Sequence, residues 1–315
     1  MAERARPPSD ASVHSLDHFA LAVPGLADAR AFYTDFGLEV KDEHGGLGLY
    51  AQDSPHRWGV VRADTRRHLD WLSFGAYAEG LPRIAERLQE LGIATIAAPS
   101  GAPEGGLWFH DMDGLPVHIG VATKSSPDAK SPVATPASAA GGQRGAITRS
   151  EVPRVHPRRL SHVLRFTPDV LRAVAFYEDV LGMRLSDRSG DGIAFMHAVH
   201  GSDHHVVAFA KSSAPGYHHS SWDVSALEDV GLGGMQMAAA GHTHGWGPGR
   251  HVLGSNYFWY VQDPWGSFAE YSADIDYVPA GTQWQAGDFP PEDAFYLWGP
   301  EPPSDFVTNY EEAAR

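Results

Sequence analysis

Two distant stretches of this chain read alike. Residues 15–40 are SLDHFALAVPGLADARAFYTDFGLEV, and residues 159–185 are RLSHVLRFTPDVLRAVAFYEDVLGMRL. Each offers a short apolar run with one histidine, a proline turn, a helical period carrying a Phe-Tyr pair, and a glycine stop. The ends of the two halves match as well. LWFHDMDGLPVHIG (107–120) and YFWYVQDPWGSFAEYS (257–272) both read as strand, Asp-centred turn and strand. A duplicated chain has to build one architecture twice. Helical periods fall at 26–36, 80–91, 170–180 and 227–240, with short alternating strands after each. The expected fold class is α+β: two tandem domains, each of two βαβββ modules that curve a mixed sheet around a cavity.

Residues 123–153 separate the repeats. They are rich in Ala, Pro, Ser, Thr and Gly, and Pro127, Pro132 and Pro136 interrupt any helix. Too little apolar surface is available there to order a core, so the stretch is expected to be a linker. The domains are then 13–122, which is expected to lack a catalytic metal, and 154–280, which is expected to hold one. An acidic tail rich in Trp and Pro follows at 281–315; its aromatic residues should pack on a sheet, a second subunit or a pocket mouth. A net charge of −15 argues against nucleic acid and anionic membrane surfaces as partners. The N-terminus lacks the apolar run of a secretion signal, which points to a cytoplasmic protein. The chain has no cysteine, so a metal here would need histidine, carboxylate or water. GLGGM (231–235) sits in a helical period and GGLGLY (45–50) leads into a strand, so neither makes a nucleotide loop and no organic cofactor is expected.

The second domain sets one polar ligand type on each of three key strands: His162 in RRLSHVLRF, His219 in GYHHSSWDV and Glu270 in GSFAEYS. A carboxylate between Ala269 and Tyr271 is costly to bury unless a cation meets it. Two imidazoles and one carboxylate, with no thiolate, suit non-haem Fe(II) with coordination positions left open. His218 and His219 adjoin on a strand and are expected to face opposite sides. His219 is preferred because His219–Trp222 repeats the spacing of His68–Trp71.

With these segments in view, the second domain resembles the type I extradiol ring-cleavage dioxygenases of the vicinal oxygen chelate superfamily. The resemblance rests on LSHVLRFTPDVLRAVAFYEDVLGMRLSD (160–187), HHVVAFAKSSAPGYHHSSWDV (204–224) and GPGRHVLGSNYFWYVQDPWGSFAEY (247–271). It implies the vicinal oxygen chelate (glyoxalase-like) fold and Fe(II), less often Mn(II), on His162, His219 and Glu270. It implies a catecholic substrate, O2, and a homo-oligomer. It also implies that His205 moves protons and that His251 and Tyr260 hold the substrate or the intermediate. His204 is expected at a solvated strand edge. Some family members hold a substrate carboxylate with an arginine near the Arg-His pair. Here that stretch is HTHGWGPGRH (242–251), with Trp246 nearby, so an apolar or aryl catechol is expected, its pocket lined by Phe195, Trp246 and Trp265. The competing readings are a ligand-sequestering protein or a glyoxalase-like lyase on the same fold. In the first domain His18, His68 and His118 are taken as the counterparts of the three ligands, a second metal site being the alternative to a vestigial one.

Overall fold

In the computed structural model, which describes residues 7–136 and 138–312, the first repeat opens with β1 (Ser15–Val23). Eight of its nine residues are buried, as expected of a strand covered on both faces. It is followed by α1 (Leu26–Asp35), β2 (Glu39–Glu43), β3 (Gly46–Tyr50) and β4 (Arg57–Ala63). The second module comprises β5 (His68–Ala76), α2 (Leu81–Glu90), β6 (Leu107–His110) and β7 (Pro116–Val121). Among the described residues these strands form one sheet in the order β2-β3-β4-β1-β5-β7-β6. The outer connections are parallel, β1 to β4 and β5 to β7, and the central β1–β5 pair is antiparallel. The two halves of the sheet thus follow one plan, four strands against three, joined at the middle.

This second module departs from the βαβββ expectation. Its second strand, the one directly after α2, shrinks to a single bridge between Thr95 and Phe109. The intervening segment carries Pro99 and Pro103, which cannot donate to a ladder, and Gly101, Gly105 and Gly106 at positive φ.

The second repeat follows the same plan. Its first module has β8 (Arg159–Thr167), α3 (Val170–Leu181), β9 (Arg184–Ser189), β10 (Ile193–His197), β11 (Ser202–Asp203) and β12 (Val207–Lys211). Its second has β13 (Gly216–Asp223), α4 (Leu227–Ala239), β14 (Gly245–His251), β15 (Tyr257–Gln262) and β16 (Phe268–Ala273). Helix α3 begins where the Asp169 side chain accepts the Arg172 amide at 3.0 Å. It stops at Gly182 in the left-handed region, where a Cβ would fall 2.0 Å from Ser12 Oγ. The sheet order is β9-β10-β12-β8-β13-β16-β15-β14, again with an antiparallel pair, β8–β13, at its centre.

The tail joins this second sheet: β18 (Gly287–Asp288) extends the β9 edge and β19 (Tyr296–Trp298) extends the β14 edge, while β17 (Tyr277–Val278), just before the tail, pairs with β11 in a small two-stranded sheet. The linker runs over the surface and touches down at a bridge between Ala134 and Ala226. One hydrophobic core spans both sheets. Phe36 stacks on Tyr271 at 3.9 Å between ring centroids, and the Tyr271 hydroxyl donates to Phe36 O at 2.8 Å. Buried Arg165 on β8 reaches across to Asp111 and, at 2.8 Å, Asp113. None of the described helices is long and apolar enough to cross a membrane.

Candidate metal centre

The three strands at the middle of the second sheet put the site together. Ser221 on β13 lies opposite His162 on β8 on one side and Glu270 on β16 on the other. His219 stands two residues before Ser221, and strand residues two apart share a face. One face of three adjacent strands therefore presents all three side chains. His162 Nε2 lies 3.3 Å from His219 Nε2. Glu270 Oε2 is 3.5 Å from His162 Nε2 and 3.7 Å from His219 Nε2. All three residues are buried, Glu270 completely.

That carboxylate shows what the cluster is built for. Oε1 accepts Asn256 Nδ2 at 3.1 Å, but the buried Oε2 has no hydrogen-bond partner. Burial alone would raise the Glu270 carboxyl; close contact with His162 and the charge of His251 bring it below its usual value. A buried oxygen left without a donor, aimed between two imidazole nitrogens, fits a divalent cation.

The ligand histidine on β13 is oriented from behind. His218 Nε2 lies 2.8 Å from Phe306 O, and His218 Nδ1 lies 2.6 Å from His219 Nδ1. A carbonyl only accepts, so neutral His218 donates from Nε2 and accepts at Nδ1. His219 then donates from Nδ1 and turns its Nε2 lone pair to the site, the usual arrangement for a metal-binding imidazole.

Three further groups surround the triad. The His205 ring sits 4.0 Å from that of His162, and burial, then His162, hold it well below its usual pKa. His251 donates from Nδ1 to Phe295 O at 2.9 Å, which leaves Nε2 to accept the Tyr260 hydroxyl at 2.8 Å. Burial lowers His251, while burial and Glu270 raise Tyr260 well above 10.

Comparison with known proteins gives this arrangement a family. Residues 159–271 match the model of the Glyoxalase/Bleomycin resistance protein/Dioxygenase superfamily. The chain is 54% identical over 300 residues to metapyrocatechase 2 of Cupriavidus necator, covering 95% of this chain and 93% of the relative. The chain belongs to the extradiol dioxygenases of this superfamily. Biphenyl-2,3-diol 1,2-dioxygenase of Paraburkholderia xenovorans is 29% identical, covering 82% of this chain and 87% of that protein. A solved structure of homoprotocatechuate 2,3-dioxygenase from Brevibacterium fuscum superposes with a TM-score of 0.76 at 21% identity, covering 98% of this chain and 85% of that one; at that identity the likeness speaks for the fold alone.

In this dioxygenase a cavity of about 540 Å³ opens beside the triad. Phe195 lines it, as do Leu164, Ile193, Leu253, Phe295 and Phe306. Two expected lining residues lie elsewhere. Trp246 is packed behind Tyr260 among Phe258, Phe295 and Phe306, its indole N–H bound to Pro300 O at 2.7 Å. Trp265 packs against the main core instead. The reason is the tail, whose Phe295 and Phe306 take the wall positions. The sequence pattern missed Asn256 as well; nothing in GSNYF separates it from an ordinary turn residue, and only the structure shows its amide buried before β15.

The paired histidines also differ from expectation. His218 does not face away from His219, because a register shift between Tyr217 and His219 breaks the strand alternation. His204 is not solvated at a strand edge: it is completely buried, in the non-strand segment between β11 and β12. Its Nε2 lies 2.8 Å from Asp187 Oδ2.

The first sheet shows the same geometry with different residues. Ser73 on β5 lies opposite His18 and His118, as Ser221 lies opposite His162 and Glu270. Two residues before Ser73 stands Trp71, so Trp71, not His68, is the counterpart of His219. Its indole N–H donates to His18 Nε2 at 3.2 Å, while His18 Nδ1 meets Asp17 at 2.7 Å. Both nitrogens of His18 are therefore engaged. His118 bonds Ser73 and stacks on Trp108, and its pKa is pushed down to about 4 by burial and His18. His68 lies away from this cluster with Nδ1 3.2 Å from Arg66 O.

Proposed function

We propose that this extradiol dioxygenase works with Fe(II), Mn(II) being the alternative, on His162, His219 and Glu270, and that it opens catechols carrying an apolar or aryl substituent. The observation that carries the metal reading is the partnerless Glu270 Oε2 facing two imidazole nitrogens. When bound, the metal supplies Lewis acidity toward both hydroxyls of a diol and a path for electrons to O2.

The chain's own residues do the rest. His205, kept neutral by burial, accepts a proton from the substrate and later returns one. Tyr260, its hydrogen given to His251 Nε2, presents oxygen lone pairs to a substrate hydroxyl. Apolar side chains around the cavity exclude water and seat the ring substituent. The charged lining residues Lys211 and Asp191 pair with each other, which supports a substrate without a carboxylate. The names of the relatives, a metapyrocatechase and a biphenyl-2,3-diol dioxygenase, support the substrate class. Exposed Leu297, Trp298 and Val307 support a homo-oligomer.

The test is oxygen uptake by Fe(II)-loaded and Mn(II)-loaded protein with catechol, 3-methylcatechol and 2,3-dihydroxybiphenyl. The expected result is equimolar uptake with a yellow ring-opened product, and the apolar-substituted diols preferred. No uptake with any diol and either metal would overturn the reading.

A further inference from the structure

His204 and His205 meet at Nδ1, 3.0 Å apart. Two imidazole nitrogens at that distance share one hydrogen, so one donates and the other accepts. The direction is decided on the far side of His204, where Nε2 lies 2.8 Å from Asp187 Oδ2. A carboxylate only accepts. Completely buried His204 therefore holds its ring hydrogen on Nε2, against the carboxylate, and offers a lone pair at Nδ1. His205 has to donate from Nδ1, which leaves its Nε2 as a free base on a ring that lines the cavity beside His162.

We propose that Asp187 and His204 are positioning residues that fix the tautomer of His205, so that its unprotonated nitrogen faces the substrate. The proposal rests on the reading of His205 as the proton-transfer group. The arrangement is built in depth. Asp187 Oδ1 accepts the Gly287 amide at 2.6 Å where β18 joins β9, which fixes the carboxylate. Trp284, from the same tail segment, covers His204 with 5.4 Å between ring centroids. The Ser186 hydroxyl donates to His204 O. The logic repeats that of His218 and His219, where an acceptor behind the first ring sets the lone pair of the second. There the acceptor is a backbone carbonyl; here it is a side chain, and so can be replaced.

Asp187→Asn is the informative variant. Its amide oxygen can retain the Gly287 N–H, which turns its NH2 toward His204 Nε2. An NH2 donates, so His204 moves its hydrogen to Nδ1, and His205 in turn moves its own to Nε2. The base is then blocked with its ring and its burial unchanged. Expected is a fall in kcat of roughly 10²–10⁴-fold, the usual worth of a positioned acid-base group, with KM and metal content near those of the parent enzyme. A second readout is independent of turnover. Histidine ¹⁵N spectra of the full-length protein loaded with diamagnetic zinc should show His205 as the Nδ1–H tautomer in the parent and as Nε2–H in Asp187→Asn. An Nε2–H tautomer in the parent, or an unchanged tautomer and kcat in the variant, would overturn the proposal. Undiminished turnover by His205→Phe would instead remove the proton-transfer reading, and the proposal with it.

Discussion

Replacing Glu270 by glutamine keeps the shape of the side chain and removes the charge that faces His162 and His219. Asn256 Nδ2 can still donate to the remaining oxygen, as it does now at 3.1 Å. The metal-depleted variant should therefore stay within about 1 kcal/mol of the metal-depleted parent. The difference should emerge on adding metal. At a metal concentration a hundredfold above the dissociation constant, binding stabilises the parent by about 2.7 kcal/mol. The single core across both sheets argues that the 315 residues unfold as one unit. At about 2.1 cal/mol/K per residue, the unfolding entropy is then about 0.7 kcal/mol/K, and the shift in Tm is about 4 °C. Altering residues that merely support ligands costs 10–100-fold in metal affinity. A loss of about 100-fold leaves the variant about 0.4 kcal/mol of stabilisation at the same metal concentration, or less than about 1 °C. Scanning calorimetry under anaerobic Fe(II), repeated with Mn(II), measures both shifts. Equal metal-induced shifts in parent and variant would refute Glu270 as a ligand.

Two further outcomes concern the scaffold. Arg165→Met should cost about 3–5 kcal/mol, because it leaves Asp111 and Asp113, both in the β6–β7 turn, without the buried partner that meets them from the other sheet; a lowered urea midpoint at unchanged slope reads it. His197, bonded to Ser186 Oγ at 2.7 Å, is pushed down to about 4 by burial, with His204 and Arg184 adding to it. Its folded pKa lies below the unfolded value of 6.5, so between those two values the unfolded chain binds a proton that the fold refuses. Stability contributed by this group is intact above the unfolded value and falls by about 1.4 kcal/mol per pH unit on acidification toward the folded one. His197→Gln, whose amide can still meet Ser186, should flatten that part of the profile between pH 7 and 5 in urea titrations.

Much of this site could be read from the sequence, for a definite reason. His162, His219 and Glu270 are ionisable residues on strands that are otherwise apolar, and duplication of the chain marked those strands as equivalent. The four helices of the two repeats were legible from periodicity alone, within a residue or two at each end, while the short helical turn Pro291–Ala294 of the tail was not. His205, His251 and Tyr260 carry no local signal that separates them from ordinary strand residues; only the family resemblance singled them out. The errors have three physical origins. Strand alternation was assumed where the backbone does not alternate, at the bulge beside His218 and in the irregular segment holding His204. In the first repeat His68–Trp71 was aligned with His219–Trp222, but pairing registers, which sequence does not display, put Trp71 in the ligand's place. The cavity wall was misassigned to Trp246 because nothing in the order of residues says that Phe295 and Phe306 return to it.

That return has a temporal meaning. The carbonyls that orient His251 and His218, and the amide that holds Asp187, all belong to residues 287–306. A ribosome that has released both sheets but still shelters this stretch holds a protein with its ligands in place and its hydrogens unassigned. Competence should therefore arrive only once this stretch has emerged, and a protease cut just before Trp284 that released it would undo it without touching a ligand.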